Sequence, residues 1–226
     1  METKILTADS PNAITTALEI LLSGGLVAFP TDTVYGVGSL AFHEKAIESI
    51  YIAKERSIEK AIPILIGDSP DLTRVAEEVP LFAMKLVARF WPGPLTVLVP
   101  KRQTLPEVIS ATTTVGVRVP DHDVARSLLR LAGPMAVTSA NLSGHPSPTT
   151  AQQVFAQLNG RVALIIDGGE TPGGVPSTLV DCTGEEIQIL REGPLSKEIL
   201  LNAVTFPDSL VKSSERFFIS RRGAVI

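Results

Sequence analysis

Two cationic side chains stand at a spacing that suits the binding of an anion. Lys54 and Arg56 follow a run of helical periodicity at spacing i, i+2. In a continuing helix this spacing turns two side chains about 200° apart. Both can serve one site only if the helix ends there, and Lys60 adds a third cation to the same connection. The alternative is a solvated charge patch that Glu55 and Glu59 compensate.

A second polar motif, residues 138–144 (TSANLSG), directly follows a short apolar run. Ser139 and Asn141 share a face in an extended segment, because side chains of a strand alternate with period two. Their hydroxyl and amide groups can bind phosphate, ribose or carboxylate oxygens without adding charge. A capping or turn role is the alternative, since Ser, Asn and Gly are common turn residues.

Other polar groups interrupt apolar segments elsewhere in the chain. Residues 30–36 (PTDTVYG) carry two hydroxyls, a carboxylate and a phenol, which is more than a plain loop needs. Arg118 and Arg191 each place a guanidinium on an otherwise apolar strand, where burial without an anionic partner is costly. Arg191 could instead be a charge on an edge strand.

The overall charge excludes a general surface for polyanions. The 226 residues include 20 Lys and Arg against 24 Asp and Glu, a net charge of −4, so any anion site must be local. The single Cys182 excludes an internal disulfide and a multi-cysteine zinc site, and it fits a reducing compartment. The chain begins without a signal-peptide pattern and has no apolar run of membrane-spanning length. We therefore expect a cytoplasmic protein without a membrane partner.

Alternating helical and strand patterns surround these motifs and predict an α/β fold. Helices are expected between a Ser10 cap and Gly24, and at residues 46–54, 80–90, 124–129 and 154–158. Apolar runs predict strands at residues 26–29, 62–66, 95–99, 115–119, 135–137, 162–166, 179–180 and 187–190, with a loop at 30–38. The closely spaced strands after residue 174 should pair antiparallel, so the expected sheet is mixed.

Considered together, the motifs resemble the YrdC-like family of L-threonylcarbamoyladenylate synthases. Any one motif is short, but seven occur in the family's order between about residues 5 and 204. They are FPTDTVYG at 29–36, KER at 54–56, WPGPLT at 91–96, VRVP at 117–120, TSANLSG at 138–144, PSTLVD at 176–181 and LREG at 190–193.

The resemblance implies a fold and a set of site residues. The implied fold is a twisted mixed sheet, parallel and antiparallel, with surrounding helices and a deep central cationic cavity. One catalytic domain would span residues 1–205, followed by a tail at 206–226, which is the short, single-domain form. The implied catalytic residues are Lys54 and Arg56; the ATP contacts are Arg56, Lys60, Thr96, Ser139, Asn141 and Arg191; the threonine contacts are Thr33, Arg118 and Ser177. Ser57 and Lys60 stand where the family often has proline and asparagine.

The implied reaction joins L-threonine, bicarbonate or carbon dioxide, and ATP into threonylcarbamoyl-AMP and pyrophosphate. We expect Mg²⁺ to be carried by the ATP phosphates, because the sequence shows no carboxylate cluster to hold the ion. The product would pass to downstream machinery that transfers the threonylcarbamoyl group to tRNA. Direct tRNA binding by this chain is expected to be weak or absent.

Three alternatives stay open. The first is an RNA-binding YrdC-like module without synthase activity, against which stand the net charge of −4 and the few aromatic residues (8 Phe, 2 Tyr and 1 Trp). The second is the carbamoyl-adenylate chemistry of hydrogenase-maturation carbamoyltransferases, which carry zinc-finger cysteines missing here. The third is a catalytically silent paralogue, against which the intact Ser139 and Asn141 pair argues.

Overall fold

Ten short strands form one sheet in the computed structural model, which describes residues 2–205. Their order is β1-β8-β2-β3-β7-β4-β6-β5-β9-β10. Strands β1 and β2 pair parallel with β8, β4 with β6, and β5 with β9, while the other neighbouring pairs are antiparallel. The mixed α/β sheet confirms the prediction, including the antiparallel pairing of the last two strands.

The elements lie close to the sequence patterns. The strands are β1 Lys4–Thr7, β2 Val27–Phe29, β3 Gly36–Leu40, β4 Ile64–Leu65, β5 Leu95–Pro100, β6 Thr114–Arg118, β7 Met135–Ser139, β8 Leu164–Asp167, β9 Thr178–Asp181 and β10 Gln188–Arg191. The helices are α1 Ala13–Leu22, α2 Glu44–Lys54, α3 Leu81–Phe90, α4 Asp123–Ala132, α5 Ala151–Leu158 and α6 Lys197–Thr205. Within the described residues, no helix is both long and apolar enough to cross a membrane.

Three elements were not predicted, and one is shorter than predicted. Strand β3 begins within the loop expected at 30–38, where its glycines have low β-propensity but the flanking strands β2 and β7 supply its hydrogen bonds. Strand β1 likewise depends on its partner β8, and α6 packs on α3. Only Ile64 and Leu65 of the strand expected at 62–66 pair in the sheet.

Local capping explains two helix starts and corrects a third. The His43 Nδ1 accepts a hydrogen bond from the Ala46 amide at the start of α2, and the Thr150 hydroxyl caps α5. Helix α1 begins after Asn12, not after the predicted Ser10 cap. The Ser10 hydroxyl is 3.0 Å from that of Thr7, while its carbonyl accepts from the Ala13 amide.

The sheet buries apolar side chains on both faces. Val27 and Phe29 of β2 belong to the cluster that contains α1 and α4 side chains, whereas Ala28 belongs to the cluster with α2, α3, α5 and α6. This alternation is expected for a strand covered on both sides. The predicted domain over 1–205 and tail over 206–226 stay predictions, and residues 206–226 lie outside the described part of the chain.

Gly38 of β3 provides a test of this close packing. A Cβ at this position would collide with the Ala136 carbonyl oxygen and lie 2.7 Å from the Val137 Cγ2 atom. Gly38→Ala should lower the free energy of unfolding by about 1–3 kcal/mol, because overpacking forces the neighbouring strands apart. Urea unfolding measures this loss. In the control Gly184→Ala, whose nearest contact would be 3.5 Å from the Glu186 oxygen, the change should stay within about 0.5 kcal/mol.

Candidate active site

A cavity of about 260 Å³ opens above the middle of the sheet. Its floor consists of small and apolar residues from central strands, among them Gly36, Leu65, Gly116 and Val137. At Gly116 a Cβ would stand only 3.1 Å from the Thr96 methyl group and 3.4 Å from Pro63, so a side chain there would crowd the floor. The strands thus leave a recess that polar groups from the surrounding loops and strand ends can line.

Three guanidinium groups, those of Arg56, Arg118 and Arg191, converge on the cavity wall. Among the described residues that line it, no aspartate or glutamate occurs. Loss of solvation lowers the pKa of Arg191, and the nearby Arg56 lowers it further. Burial lowers the pKa of Arg118, Asp32 opposes this effect, and Arg191 adds to it. Arg191 therefore lies close enough to Arg56 and to Arg118 for mutual repulsion, and an anion bound between the three cations would relieve it.

Arg56 reaches the wall because α2 ends just before it. The helix stops at Lys54, and Glu55 adopts a left-handed conformation with φ 52°. The Arg56 Nε then donates to the Lys60 carbonyl at 3.1 Å, and Nη2 donates to the Ala61 carbonyl at 2.9 Å. The expectation that the helix ends at this motif is confirmed.

Lys54 does not line the cavity. Its side chain is buried, and its Nζ donates to the main-chain carbonyls of Ser139 and Asn141. Burial, reinforced by Arg56, lowers the pKa of Lys54 to about 7. The i, i+2 spacing thus separates the two side chains although the helix has ended, because the left-handed Glu55 redirects only the chain that follows it.

Lys60 and Asn141 also lie off the cavity wall. Lys60 is exposed, and its carbonyl, not its ammonium, bonds to Arg56. The Asn141 Nδ2 donates to the carbonyls of Leu142 and His145, both at 2.8 Å, while Ser139 lines the cavity. Strand β7 ends at Ser139, so the period-two alternation expected to place both side chains on one face does not extend to Asn141.

Arg118 is held by three groups at the back of the cavity. Its Nε donates to the Gly93 carbonyl at 3.0 Å, its Nη1 to the Thr33 hydroxyl at 3.0 Å, and its Nη2 to Asp32. The Thr33 hydroxyl lies 3.0 Å from that of Thr31, which donates to the Val34 carbonyl at 2.7 Å. A buried arginine thus has a carboxylate partner and still faces the cavity.

The opposite wall joins Thr96, Ser177 and Arg191. The Thr96 and Ser177 hydroxyls are 2.7 Å apart, and Arg191 donates to the Ser177 carbonyl at 3.1 and 2.8 Å and to its hydroxyl at 3.2 Å. Arg191 lies on the edge strand β10 and also lines the cavity, so the two alternatives considered for this residue are both met. These three residues, predicted from separate motifs, are brought together.

Sequence reasoning did not assign a site role to Asp32 or Thr31. Both stand in the polar loop at 30–36, whose excess of polar groups was the available signal. Tyr35 of the same loop is buried behind the cavity, where its hydroxyl donates to the Gly169 carbonyl at 2.7 Å, and burial raises its pKa to about 12. It ties the start of β3 to the segment that leads to Ser177.

The fold and the cavity define an α/β protein whose cavity wall presents guanidinium and hydroxyl groups, which are the hydrogen-bond donors that an anion needs. The chain belongs to the Sua5/YciO/YrdC family, whose model, described as telomere recombination, matches residues 19–193. It is 45% identical over 184 residues to a threonylcarbamoyl-AMP synthase of Pyrococcus abyssi, covering 80% of this chain and 54% of that protein. It is 43% identical over 188 residues to the Bacillus subtilis synthase, covering 82% and 54%.

A solved structure has a similar fold over most of this chain. The crystal structure of P. abyssi Sua5 complexed with L-threonine matches with a TM-score of 0.83 and 43% identity, covering 85% of this chain and 57% of that one. This chain thus spans little more than half the length of these relatives.

The buried pair of Arg118 and Asp32 should be more important for stability than a surface pair. Their side chains are 6% and 13% exposed, against 42% and 57% for Arg102 and Glu77, which lie 3.9 Å apart. Asp32→Asn leaves a buried guanidinium uncompensated and should cost about 3 kcal/mol of unfolding free energy. Glu77→Gln should cost less than about 1 kcal/mol. Equal losses in urea unfolding would contradict this assignment.

Proposed function

We propose that this chain is an L-threonylcarbamoyladenylate synthase, an ATP-dependent nucleotidyltransferase that serves the threonylcarbamoyladenosine modification of tRNA. The observation that carries the proposal is the convergence of Arg56, Arg118 and Arg191 with the Ser139, Thr96 and Thr33 hydroxyls in one cavity. The similar proteins support it, because they are named threonylcarbamoyl-AMP synthases and one was crystallised with L-threonine.

The proposed reaction has two bond-forming steps. The amine of L-threonine adds to carbon dioxide, or to bicarbonate with loss of water, and releases a proton to give a carbamate. A carbamate oxygen then attacks the α-phosphorus of ATP, the bond to the β-phosphate oxygen breaks, and pyrophosphate leaves. The products are threonylcarbamoyl-AMP and pyrophosphate. Negative charge accumulates on the phosphoryl oxygens and the leaving group, so positioned cations are suitable catalysts.

The surroundings of the three arginines suggest which substrate each would bind. Arg56 and Arg191 would hold phosphate oxygens, because both face the cavity and, in the described part of the chain, neither has a carboxylate among its hydrogen-bond partners. Arg118 would hold the threonine carboxylate, with Thr33 and Ser177 nearby. Thr96 and Ser139 would orient ATP from the neighbouring strand ends.

Three of the predicted site residues do not line the cavity. Lys54 has no direct role in this proposal, because its ammonium faces main-chain carbonyls. Lys60 stays a predicted ATP contact on the exposed loop that Arg56 holds. Asn141 stays a predicted ATP contact, although its amide bonds within its own loop.

Mg²⁺ is proposed to enter with the ATP phosphates. Among the described residues, no group of three or more His, Cys, Asp or Glu is arranged to hold a metal ion, and the cavity wall offers hydroxyls and guanidinium groups instead. Such a wall does not fit a protein-held Mg²⁺, which prefers carboxylate oxygens. No step of the proposed mechanism is assigned to the ion.

The proposed partners follow from the chemistry of the product. A mixed anhydride of a carbamate and a phosphate is an activated group, so a downstream transferase must consume it by delivering the threonylcarbamoyl group to tRNA. Direct tRNA binding by this chain is proposed to be weak or absent. The proposed location is the cytoplasm, which the buried thiol of Cys182 fits.

The purified chain should release pyrophosphate from ATP only when bicarbonate and L-threonine are both present. Labelled bicarbonate should appear in an adenylate that comigrates with threonylcarbamoyl-AMP. Serine, valine and an omission of amino acid are the matched comparisons. No threonine-dependent product would contradict the proposed function, and RNA affinity that survives saturation with ATP and threonine would favour the RNA-binding alternative.

Arg56→Ala and Arg191→Ala should each lower kcat/KM by about 10²–10³-fold, because each removes a cation from the site of charge development. Steady-state pyrophosphate release measures this effect. Arg102→Ala is the control, since this arginine is half exposed and pairs only loosely with Glu77 at 3.9 Å. Its kcat/KM should stay within about twofold of the unchanged protein. Activity in Arg56→Ala equal to that of the control would remove Arg56 from the mechanism.

A further inference from the structure

Lys54 is a buried lysine that donates to main-chain carbonyls, whereas a ligand-binding lysine would point its ammonium into the cavity. It is 1% exposed and does not line the cavity. Its Nζ donates to the carbonyls of Ser139 and Asn141, and its own carbonyl accepts from the Ser143 amide at 2.8 Å. Lys54 therefore bonds the end of α2 to the last residue of β7 and to two residues of the loop after it.

Both segments that Lys54 joins carry groups of the cavity wall. Arg56 follows it by two residues, and Ser139 is the last residue of β7. The loop after β7 has one further tie to the site, since the Ala140 amide donates to the Tyr35 carbonyl at 2.8 Å. A shift of the 139–143 segment relative to α2 would therefore change the distance between the Arg56 guanidinium and the Ser139 hydroxyl.

These contacts need N–H donors more than they need a charge. Burial and Arg56 lower the pKa of Lys54 to about 7, so a large share of the side chain is neutral just above this pH. An ammonium has three N–H donors and a neutral amine has two, which is still enough for both carbonyls. A charge contact with phosphate would require the protonated form.

We propose that Lys54 is a positioning residue that connects α2 to the 139–143 segment and so sets Arg56 and Ser139 at their catalytic separation. It acts through hydrogen-bond donation and does not touch the nucleotide. This inference rests on the proposed function for its catalytic consequence, whereas the connection itself is a property of the folded chain.

Two substitutions of Lys54 separate the effect of its N–H donors from the effect of its positive charge. Lys54→Met removes both, and Lys54→Gln keeps two N–H donors without the charge. Lys101→Met is the matched control, because the half-buried Lys101 also donates to one carbonyl, that of Ser110 at 2.8 Å, and does not line the cavity. Three quantities are measured in each variant: amide hydrogen exchange at residues 139–143, the Kd for ATP, and kcat for pyrophosphate release.

In Lys54→Met, exchange of the Ala140 and Ser143 amides should accelerate about tenfold. The kcat should fall by about 10²-fold because the reacting groups are misaligned, while the Kd for ATP stays within about threefold. Lys54→Gln should recover at least about tenfold of the lost kcat. Lys101→Met should leave exchange at 139–143, kcat and Kd unchanged.

Two results would overturn the proposal. A Kd for ATP that rises about tenfold or more in both Lys54 variants, with exchange at 139–143 unchanged, would show a direct charge contact. If Lys54→Met, like Lys101→Met, left exchange at 139–143 and kcat unchanged, Lys54 would not position the two segments. Should Lys54→Met fail to fold, the same comparison is made with Lys54→Gln, where a raised Kd at unchanged exchange again refutes the proposal.

A failure of the proposed function would be seen in a different measurement from a failure of the Lys54 proposal. An unchanged protein that makes no threonine-dependent pyrophosphate would contradict the synthase assignment. The exchange rates at residues 139–143 would still decide whether Lys54 connects the two segments, because they require no substrate.

Discussion

The repulsion of Arg191 by Arg56 and by Arg118 is the constraint on which the site depends. Arg56, Arg118 and Arg191 face one cavity, and each is fixed by main-chain carbonyls: Arg56 by Lys60 and Ala61, Arg118 by Gly93, and Arg191 by Ser177. A carbonyl orients a guanidinium without cancelling its charge. Within residues 2–205, Arg118 is the one of the three that also has a carboxylate partner, Asp32. The cavity therefore keeps an excess of positive charge in a chain whose net charge is −4.

The sheet holds these cations in place despite their repulsion. Polar groups reach the cavity from strand ends and loops, while the floor is built from small or apolar residues of paired strands. Each cation is thus attached to backbone that is itself bonded into the sheet or packed on it. Such preorganisation matters because a site that had to assemble its cations during the reaction would lose most of their catalytic benefit.

The sequence predicted most elements and the segments of the site, but it placed side chains less well. Helical periodicity located α2 to α5 and short apolar runs located most strands, whereas β1 and β3 depend on hydrogen bonds from distant partners. Arg56, Arg118, Ser139 and Arg191 were predicted and do meet. Lys54 and Asn141 share motifs with Arg56 and Ser139 but lie off the wall, because α2 and β7 end between the members of each motif. Lys60, in the exposed connection after Arg56, also lies off the wall.

The sequence by itself determined the alternation of helices and strands, the local character of any anion site and the order of motifs that identifies the family. These depend on residue type and short spacing, which are properties of the chain alone. Only the tertiary structure decided which member of each motif faces the cavity. That choice depends on where α2 and β7 stop, and on carbonyls of Ser139 and Asn141 that lie 85 and 87 residues from Lys54 along the chain. Spacing within a motif carries no information about such distant contacts.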